Sequence, residues 1–294
     1  QVLWDSNEFP SAATIDALGK DKPVWLTRVD GHAGWANSAA MDLANIDRNT
    51  EDPTGGQIIR DENGDATGVL IDTAMRYVSA QIPNPTFEEQ KFALQTAMES
   101  LATYGMTSVH DAGIGSQTVA AFKELVNEGP LPLRVNAMLS ASDPLYQDRL
   151  GEGFFSSDDD TFVIRSVKVV GDGALGSRGA ALIDDYSDEP GNRGLLRYDD
   201  ERLEFLMRVA MNAGFQVATH AIGDNANLKV MDNYERLINE TDTQAMRHRI
   251  EHAQILRYED ILRFAELGVI PSMQATHATS DKNMAVDRIG EIRI

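Results

Sequence analysis

The chain has 294 residues, 42% of them hydrophobic and 24% charged, which is typical of a globular protein. Its 46 acidic and 26 basic residues give a formal net charge of −20, which argues against a nucleic-acid or membrane partner, because phosphate binding depends on clustered Lys and Arg. The absence of cysteine excludes disulfides, thiolate metal sites and cysteine nucleophiles, and no apolar run reaches the ~18 residues of a membrane span.

The N-terminal part contains short strands, a turn and a brief helix, in "PVWLTRVDGHAGWANSAAMDLA" and "GGQIIRDENGDATGVLID". We interpret residues 1–85 as an inserted α+β subdomain that covers the mouth of the main fold in residues 86–294. Asp30, His32 and Trp35 are predicted to reach over that mouth and contact substrate. The alternative is a local turn held by Asp30.

From about Gly105 onward, short strands alternate with amphipathic helices, which predicts an α/β fold with a parallel sheet. The preceding helix opens with a capping box formed by Thr86 and Glu89, and its apolar face is predicted to hold Leu94, Met98 and Leu101. Six strands are predicted: "MTSVHDAG", "LRVNAML", "FVIRSVKVV", "FQVATH", "HRIEHAQ" and "VIPSMQ".

Polar residues end nearly every predicted strand, which favours the mouth of a (β/α)₈ barrel over the single switch point of a doubly wound sheet. These strand ends carry His110 and Asp111, Ser140, Asp172, His220, His252 and Gln274.

Lys168 lies between two valines in an apolar strand. Strand alternation places it in the barrel lumen together with Ser166 and Ile164. It could form a structural ion pair with Asp111 or Asp172. Alternatively, a desolvated lysine has a lowered pKa, and its neutral amine can add CO₂ to become a carbamate that bridges two metals.

The loop "GDGALG" after this strand fits a dinucleotide fingerprint, but that motif requires a helix to begin inside it. The continuation "SRGAALIDDYSDEPGNRG" has no helical period. A nucleotide site is therefore not predicted.

Two histidines are predicted at the lumen mouth on successive strands. Alternation places His220 inward, and it places His252 inward with His248, while Arg249 and Glu251 face away. Two such histidines beside an inward lysine suit a divalent cation with nitrogen and oxygen ligands.

The motifs "VDGHAGWANS", "VKVVGDGALGSRGAAL", "THAIGDNAN", "RIEHAQ" and "SMQATHATSD" resemble amidohydrolase family 3, the YtcJ-like branch of the metal-dependent amidohydrolase superfamily. That branch includes N-substituted formamide deformylase and proteins labelled exoenzyme regulators. The resemblance implies a (β/α)₈ barrel that holds one or two divalent metals, with zinc expected. It implies that a metal-activated hydroxide attacks the carbonyl of a non-peptide C–N bond. Lys168 would be the carbamylated bridging ligand, and His220 and His252 would be metal ligands.

The chain departs from this family pattern in two places. The His-x-His motif of the first barrel strand is absent from the sequence, and the chain ends before the aspartate of the eighth strand. We therefore expect a fragment that holds strands two to seven, is incompletely loaded with metal and is inactive by itself.

Other residues are predicted to support this site. Asp172, Arg178 and His277 are expected to contact substrate, with a loop ion pair as the alternative for the first two. Asp111, Asp224 and Glu251 are expected to support the ligands from behind, although Asp224 could instead cap the helix at Asn225.

The predicted function is hydrolysis of a small amide or N-substituted formamide. The alternatives are a catalytically silent barrel with a binding or regulatory role, and a lactone or phosphoester hydrolase on the same site. A cytoplasmic bacterial protein is expected, and a homodimer is compatible with the sequence.

Overall fold

In the computed structural model, which describes residues 9–293, the strands form two separate sheets. The strands are β1 Trp25–Thr27, β2 Ala33–Ala36, β3 Gly56–Arg60, β4 Ala66–Asp72, β5 Ser108–Ile114, β6 Arg134–Ser140, β7 Phe155–Ser156, β8 Phe162–Val170, β9 Gln216–Ala221, β10 Arg249–His252 and β11 Ile270–Ser272. The helices are α1 Ala12–Asp16, α2 Ser38–Leu43, α3 Arg76–Ser79, α4 Phe87–Thr103, α5 Ser116–Glu128, α6 Tyr146–Gly151, α7 Asp200–Asn212, α8 Asp224–Thr241, α9 Ile261–Leu267, α10 Thr276–Thr279 and α11 Lys282–Ile289.

The smaller sheet is antiparallel, with strand order β1-β2-β4-β3. Ile58 and Leu70 are buried in it against Ala40 of α2 and Val78 of α3. The last residue of β4, Asp72, has a left-handed φ of 48°. This sheet falls within the predicted insertion, of which residues 1–8 lie outside the described part of the chain.

The larger sheet contains six parallel strands in the order β5-β6-β8-β9-β10-β11, and the short β7 pairs antiparallel with β8. Because spatial order follows chain order without the reversal of a doubly wound sheet, the predicted parallel α/β architecture is confirmed. The guanidinium of Arg249 on β10 lies 3.5 Å from Nδ1 of His110 on β5. Three strands separate β10 from β5, so this contact requires the sheet to curve into a half-barrel.

The helices cover the convex face of this half-barrel. The capping box at the start of α4 is present, with Thr86 and Glu89 each bonding to the other's backbone. On its predicted apolar face, Met98 is buried, but Leu101 is 37% exposed. Within residues 9–293, no helix is long and apolar enough to cross a membrane.

Strand alternation holds through the middle of β8 and β9. The side chains of Val167, Val169 and Val217 belong to the core between sheet and helices, which leaves Lys168 and His220 on the lumen face. The prediction that Ile164 shares that face is wrong. A register shift in the pairing of β6 with β8 adds a residue to β8 at this level, so that Ile164 joins the helix-side core.

On β10 the predicted alternation is reversed. The ring of His248 stacks on Tyr234 of α8, with ring centroids 5.4 Å apart, and Ile250 lies in the helix-side core. Arg249 and Glu251 therefore face the lumen, where they form an ion pair at 2.7 Å. His252 still reaches the lumen mouth because its left-handed φ of 76° breaks the alternation of the strand.

A single hydroxyl on the helix side joins the two histidine-bearing strands. The phenol of Tyr234 lies 3.0 Å from the carbonyl oxygen of Val217 on β9 and 2.9 Å from that of Arg249 on β10. The hydroxyl of Thr219 lies 2.9 Å from the same phenol. These contacts hold the backs of β9 and β10 together.

Candidate functional site

His220 ends β9 at the centre of a cluster of imidazole rings. Its ring centroid lies 4.5 Å from that of His252 and 4.9 Å from that of His32. Burial is the main cause that holds the pKa of His220 well below its ordinary value, and the charges of His32 and Lys168 lower it further. The imidazole is therefore neutral at neutral pH and keeps a lone pair for a ligand.

His252 is fixed in orientation by the next strand. Its Nδ1 lies 2.8 Å from Oε1 of Gln274. An amide oxygen can only accept, so Nδ1 carries the proton and the lone pair resides on Nε2. Burial lowers the pKa of His252 to about 4, with a further contribution from His220. This ring, too, is neutral and available as a nitrogen ligand.

Lys168 lies on β8, the strand next to β9, and is 9% exposed. Burial lowers the pKa of its amine to about 8. The carboxylate whose charge opposes this shift is that of Glu251, whereas the predicted ion-pair partners were Asp111 and Asp172. The charge of Lys168 lowers the pKa of both His220 and His252, so the lysine and the two histidines interact electrostatically.

The donor chemistry of this cluster fits a divalent cation. Two neutral imidazoles can supply nitrogen ligands, and a lysine whose lowered pKa increases its neutral fraction can supply a carbamate oxygen. Within residues 9–293, no group of three or more His, Cys, Asp or Glu side chains could hold a metal ion. The fit therefore depends on Lys168 as the third ligand.

Asp72 is a site residue that the motifs did not reveal. Its Oδ1 lies 2.6 Å from Nδ1 of His32 and 3.5 Å from the guanidinium of Arg197. Its Oδ2 is buried without a hydrogen-bond partner. A Cβ atom on Gly173 or Gly179 would lie 2.2 or 2.5 Å from this oxygen. The glycines of the "GDGALGSRG" loop are therefore needed for close approach to Asp72, which is the one sequence signal that could have revealed it.

A cavity of about 420 Å³ opens beside the imidazole cluster. Asp30, His32 and His277, all predicted to contact substrate, line it. Asp30 also holds the local turn, since it pairs with Arg28 at 2.7 Å and accepts the backbone N–H of His32 at 3.2 Å.

The structure places Trp35 elsewhere, on a separate cavity of about 170 Å³. Its indole N–H donates to the carbonyl oxygen of Ser11 at 3.1 Å. Arg178 does not line the cavity of about 420 Å³ and pairs with Asp188 at 3.0 Å.

Asp172 is fully buried and faces the backbone instead of the cavity. Its carboxylate accepts hydrogen bonds from the N–H groups of Ala181, Ile222 and Gly223 at 2.8–3.0 Å. Burial raises its pKa to about 7, and those three hydrogen bonds oppose the rise. Asp172 therefore ties the glycine-rich loop to the end of β9, where its Oδ1 lies 3.3 Å from Nε2 of His220.

The three predicted supporting residues differ in their surroundings. Asp224 is the first residue of α8, whose N-cap is Gly223, and its Oδ1 accepts the N–H of Ile183 at 2.9 Å. Burial raises the pKa of Asp111. The charge of Glu251 raises the pKa of Lys168 and so opposes the effect of burial.

The chain is similar to a known protein family and to several characterised or named proteins. The model of the amidohydrolase family matches residues 1–294. The chain is 35% identical over 303 residues to Protein LONG AFTER FAR-RED 3 of Arabidopsis thaliana. That alignment covers 99% of this chain and 52% of that protein. The chain is 26% identical over 279 residues to N-substituted formamide deformylase of Arthrobacter pascens, covering 88% of this chain and 49% of that enzyme.

Among solved structures, an uncharacterized metal-dependent hydrolase from Pyrococcus horikoshii OT3 matches with a TM-score of 0.72 and 30% identity. The match covers 97% of this chain and 55% of that one. The likeness includes the α/β fold with its parallel half-barrel sheet. The chain spans about half the length of the relatives that it matches.

Proposed function

The chain belongs to the amidohydrolase family, and from that premise we propose that it forms the core of a metal-dependent hydrolase of non-peptide carbon–nitrogen bonds. Amides and N-substituted formamides are the proposed substrates. The proposal is supported by the contact of the His220 and His252 rings, 4.5 Å apart at the carboxyl ends of β9 and β10, and by the buried Lys168 on the adjacent strand β8, whose charge acts on both rings. In parallel α/β barrels this end of the sheet is where catalytic groups gather.

Lys168, His220 and His252 would hold the cation, with zinc as the proposed metal and Lys168 as a carbamate. A divalent ion bound there would polarise a carbonyl and lower the pKa of water. Lys168 can take up CO₂ only as a neutral amine, and burial raises the neutral fraction at neutral pH. Gln274 orients the ring of His252 through Nδ1. Such a partner fixes the tautomer that leaves Nε2 free for a ligand.

The cavity determines the size of the substrate. A volume of about 420 Å³ is within the range of sites for small molecules and too small for a folded macromolecule. Asp30 and His277 on its wall provide a carboxylate and an imidazole for substrate contacts. A small amide fits this description.

A catalytically silent barrel with a binding or regulatory role is the second candidate. It is favoured by the lack, within residues 9–293, of a group of three His, Cys, Asp or Glu side chains arranged to hold a metal ion. An inert barrel of this kind would bind small amides without turning them over.

The test combines metal analysis with a substrate panel on the intact protein. We expect stoichiometric zinc after incubation with Zn²⁺ and bicarbonate, and hydrolysis of N-substituted formamides or N-acyl amines ahead of lactones and phosphotriesters. A protein that binds zinc but hydrolyses only lactones or phosphotriesters would overturn the C–N assignment. A protein that binds amides without hydrolysing them would support the silent barrel.

A further inference from the structure

Part of the wall of the cavity of about 420 Å³ is apolar, and the proposed metal chemistry makes no use of it. Leu175 of the glycine-rich loop, Ile222 just after β9 and Met284 of α11 line this cavity. Leu175 and Ile222 are buried members of one hydrophobic cluster, and Met284 packs against the same cluster. These three side chains therefore form one apolar surface, which we call the apolar wall.

A buried arginine one turn beyond Met284 fixes α11 against the glycine-rich loop. The guanidinium of Arg288 donates to the carbonyl oxygen of Gly176 at 3.2 and 3.4 Å, and it also pairs with Asp188. Arg288 is 7% exposed, so these contacts are shielded from water. Residues four apart lie on the same face of a helix. The anchor therefore holds Met284 beside Gly176.

The glycine at this position leaves room for the end of the methionine side chain. A Cβ atom on Gly176 would lie 3.6 Å from Cε and 3.8 Å from Sδ of Met284, which is ordinary van der Waals contact. Gly176 itself lines the cavity. The thioether of Met284 therefore lies at the cavity wall. Methionine is flexible and polarizable, so it adapts to the apolar groups that it contacts.

The same cavity is lined by the rings of His220 and His252, where the proposed cation and the bond under hydrolysis would lie. A ligand that combines a polar amide with an apolar substituent can contact both parts of the cavity at once. A substituent with a charged end would have to leave water for a surface that offers it no partner, which costs free energy.

We propose that the apolar wall binds the N-substituent of the substrate and that Met284 limits the length of this substituent. The substrates would then be amides and formamides with an uncharged alkyl group on nitrogen. This inference rests on the proposed hydrolase function and specifies its substrate class. Each methylene that enters such a surface should tighten binding about fourfold, until the chain reaches Met284.

The first test measures binding without turnover, on the intact wild-type protein incubated with Zn²⁺ and bicarbonate. The probes are N-alkyl methanesulfonamides from N-methyl to N-octyl, which keep the N–H and the alkyl group of the substrate but resist hydrolysis. Carbon-13 NMR of labelled methionine methyl groups follows each titration. We expect affinity to rise about fourfold per methylene up to a limiting length, and the methyl resonance of Met284 to shift with the longer probes.

Two controls accompany this titration. The methyl group of Met106, a methionine that is 46% exposed and does not line the cavity, should not shift. A probe of the same length that ends in a carboxylate should bind no more tightly than the N-methyl compound. Equal affinity for short and long alkyl chains, or an unshifted Met284 resonance, would overturn the inference.

The second test changes the length of the wall residue. Met284→Ala removes three heavy atoms beyond Cβ, so the limiting chain should become longer by about two or three carbons. Met284→Leu keeps an apolar side chain of similar volume and should retain the wild-type limit, and Met106→Ala is the matched control for loss of a methionine. A wild-type limit in folded Met284→Ala protein would show that Met284 does not set the length.

The matching N-alkylformamides separate this inference from the proposed function. If the sulfonamides show the chain-length trend but the formamides are not hydrolysed, the hydrolase proposal fails and the apolar wall stands. If the formamides are hydrolysed with a kcat/KM that does not depend on chain length, the hydrolase proposal stands and the apolar wall is overturned.

Discussion

Replacing Lys168 by methionine is expected to stabilise the metal-free protein at neutral pH while it abolishes activity. Burial lowers the pKa of this amine to about 8 in the folded protein, against 10.5 for an ordinary lysine. That difference corresponds to about 3 kcal/mol of unfavourable free energy for keeping the ammonium buried. Methionine is unbranched, flexible and of similar length, so it can fill the same space without a charge.

The sign of the pH dependence follows from which state binds the proton more tightly. Below pH 8 both states of the wild type are protonated at Lys168, and the folded state carries the full penalty. Between about pH 8 and pH 10.5 the unfolded state binds more protons, so the stability of the wild type rises with pH. The advantage of Lys168→Met should therefore be about 3 kcal/mol at pH 7 and shrink towards zero by pH 10.5.

The assay is urea unfolding at pH 7 and at pH 10, in CO₂-free buffer without metal, because carbamylation removes the charge. Lys229→Met is the control, since Lys229 forms an exposed pair with Asp200 at 2.6 Å. Exposed pairs contribute about 0.2–1 kcal/mol, and no such pH trend is expected there. A Lys168→Met protein that is no more stable than the wild type at pH 7 would refute the buried-ammonium reasoning.

Three further outcomes are expected. Lys168→Ala should lose most activity in the intact protein, and acetate or propionate with bicarbonate and Zn²⁺ should restore part of kcat/KM; undiminished activity would return this lysine to a structural role. Gln274→Leu removes the acceptor that lies 2.8 Å from Nδ1 of His252. It should weaken zinc binding, measured by calorimetry, about 10–100-fold, whereas unchanged affinity would show that His252 needs no such partner. Gly173→Ala should lower the free energy of unfolding by about 2 kcal/mol, because the new Cβ would lie 2.2 Å from Oδ2 of Asp72. Gly151→Ala is its control, since a Cβ atom there would meet no atom within 4 Å. Equal stability of the two variants would contradict the close approach.

Period-2 alternation was sufficient to predict the lumen positions of Lys168 and His220, because both lie in regular stretches of parallel strand. It failed where the backbone departs from that regularity. An added residue in β8 moved Ile164 to the helix side. On β10 the inward and outward positions are the reverse of those predicted, and His252 reaches the mouth only because of its positive φ. Such departures depend on pairing with neighbouring strands, so the local sequence contains little sign of them.

Asp72 could not be predicted from any single motif. Its partner His32 lies 40 residues away, and Gly173 is about a hundred residues further along the chain. The reason for the glycines in the loop is a close approach to a carboxylate that only the folded chain reveals. Of the residues predicted to contact substrate, Asp30 lines the cavity of about 420 Å³, whereas Trp35 lines a different cavity. This difference, too, depends on the folded chain.

The phenol of Tyr234 contacts both histidine-bearing strands of the half-barrel but lies outside the candidate site. The backbone ladder sets the spacing of β9 and β10, which end in His220 and His252, and the Tyr234 hydroxyl adds a contact with a carbonyl oxygen of each strand. Burial raises the pKa of this phenol, which keeps it protonated at neutral pH. This contact lies on the helix side of the sheet, so the two histidine-bearing strands are joined from the face opposite the imidazole cluster.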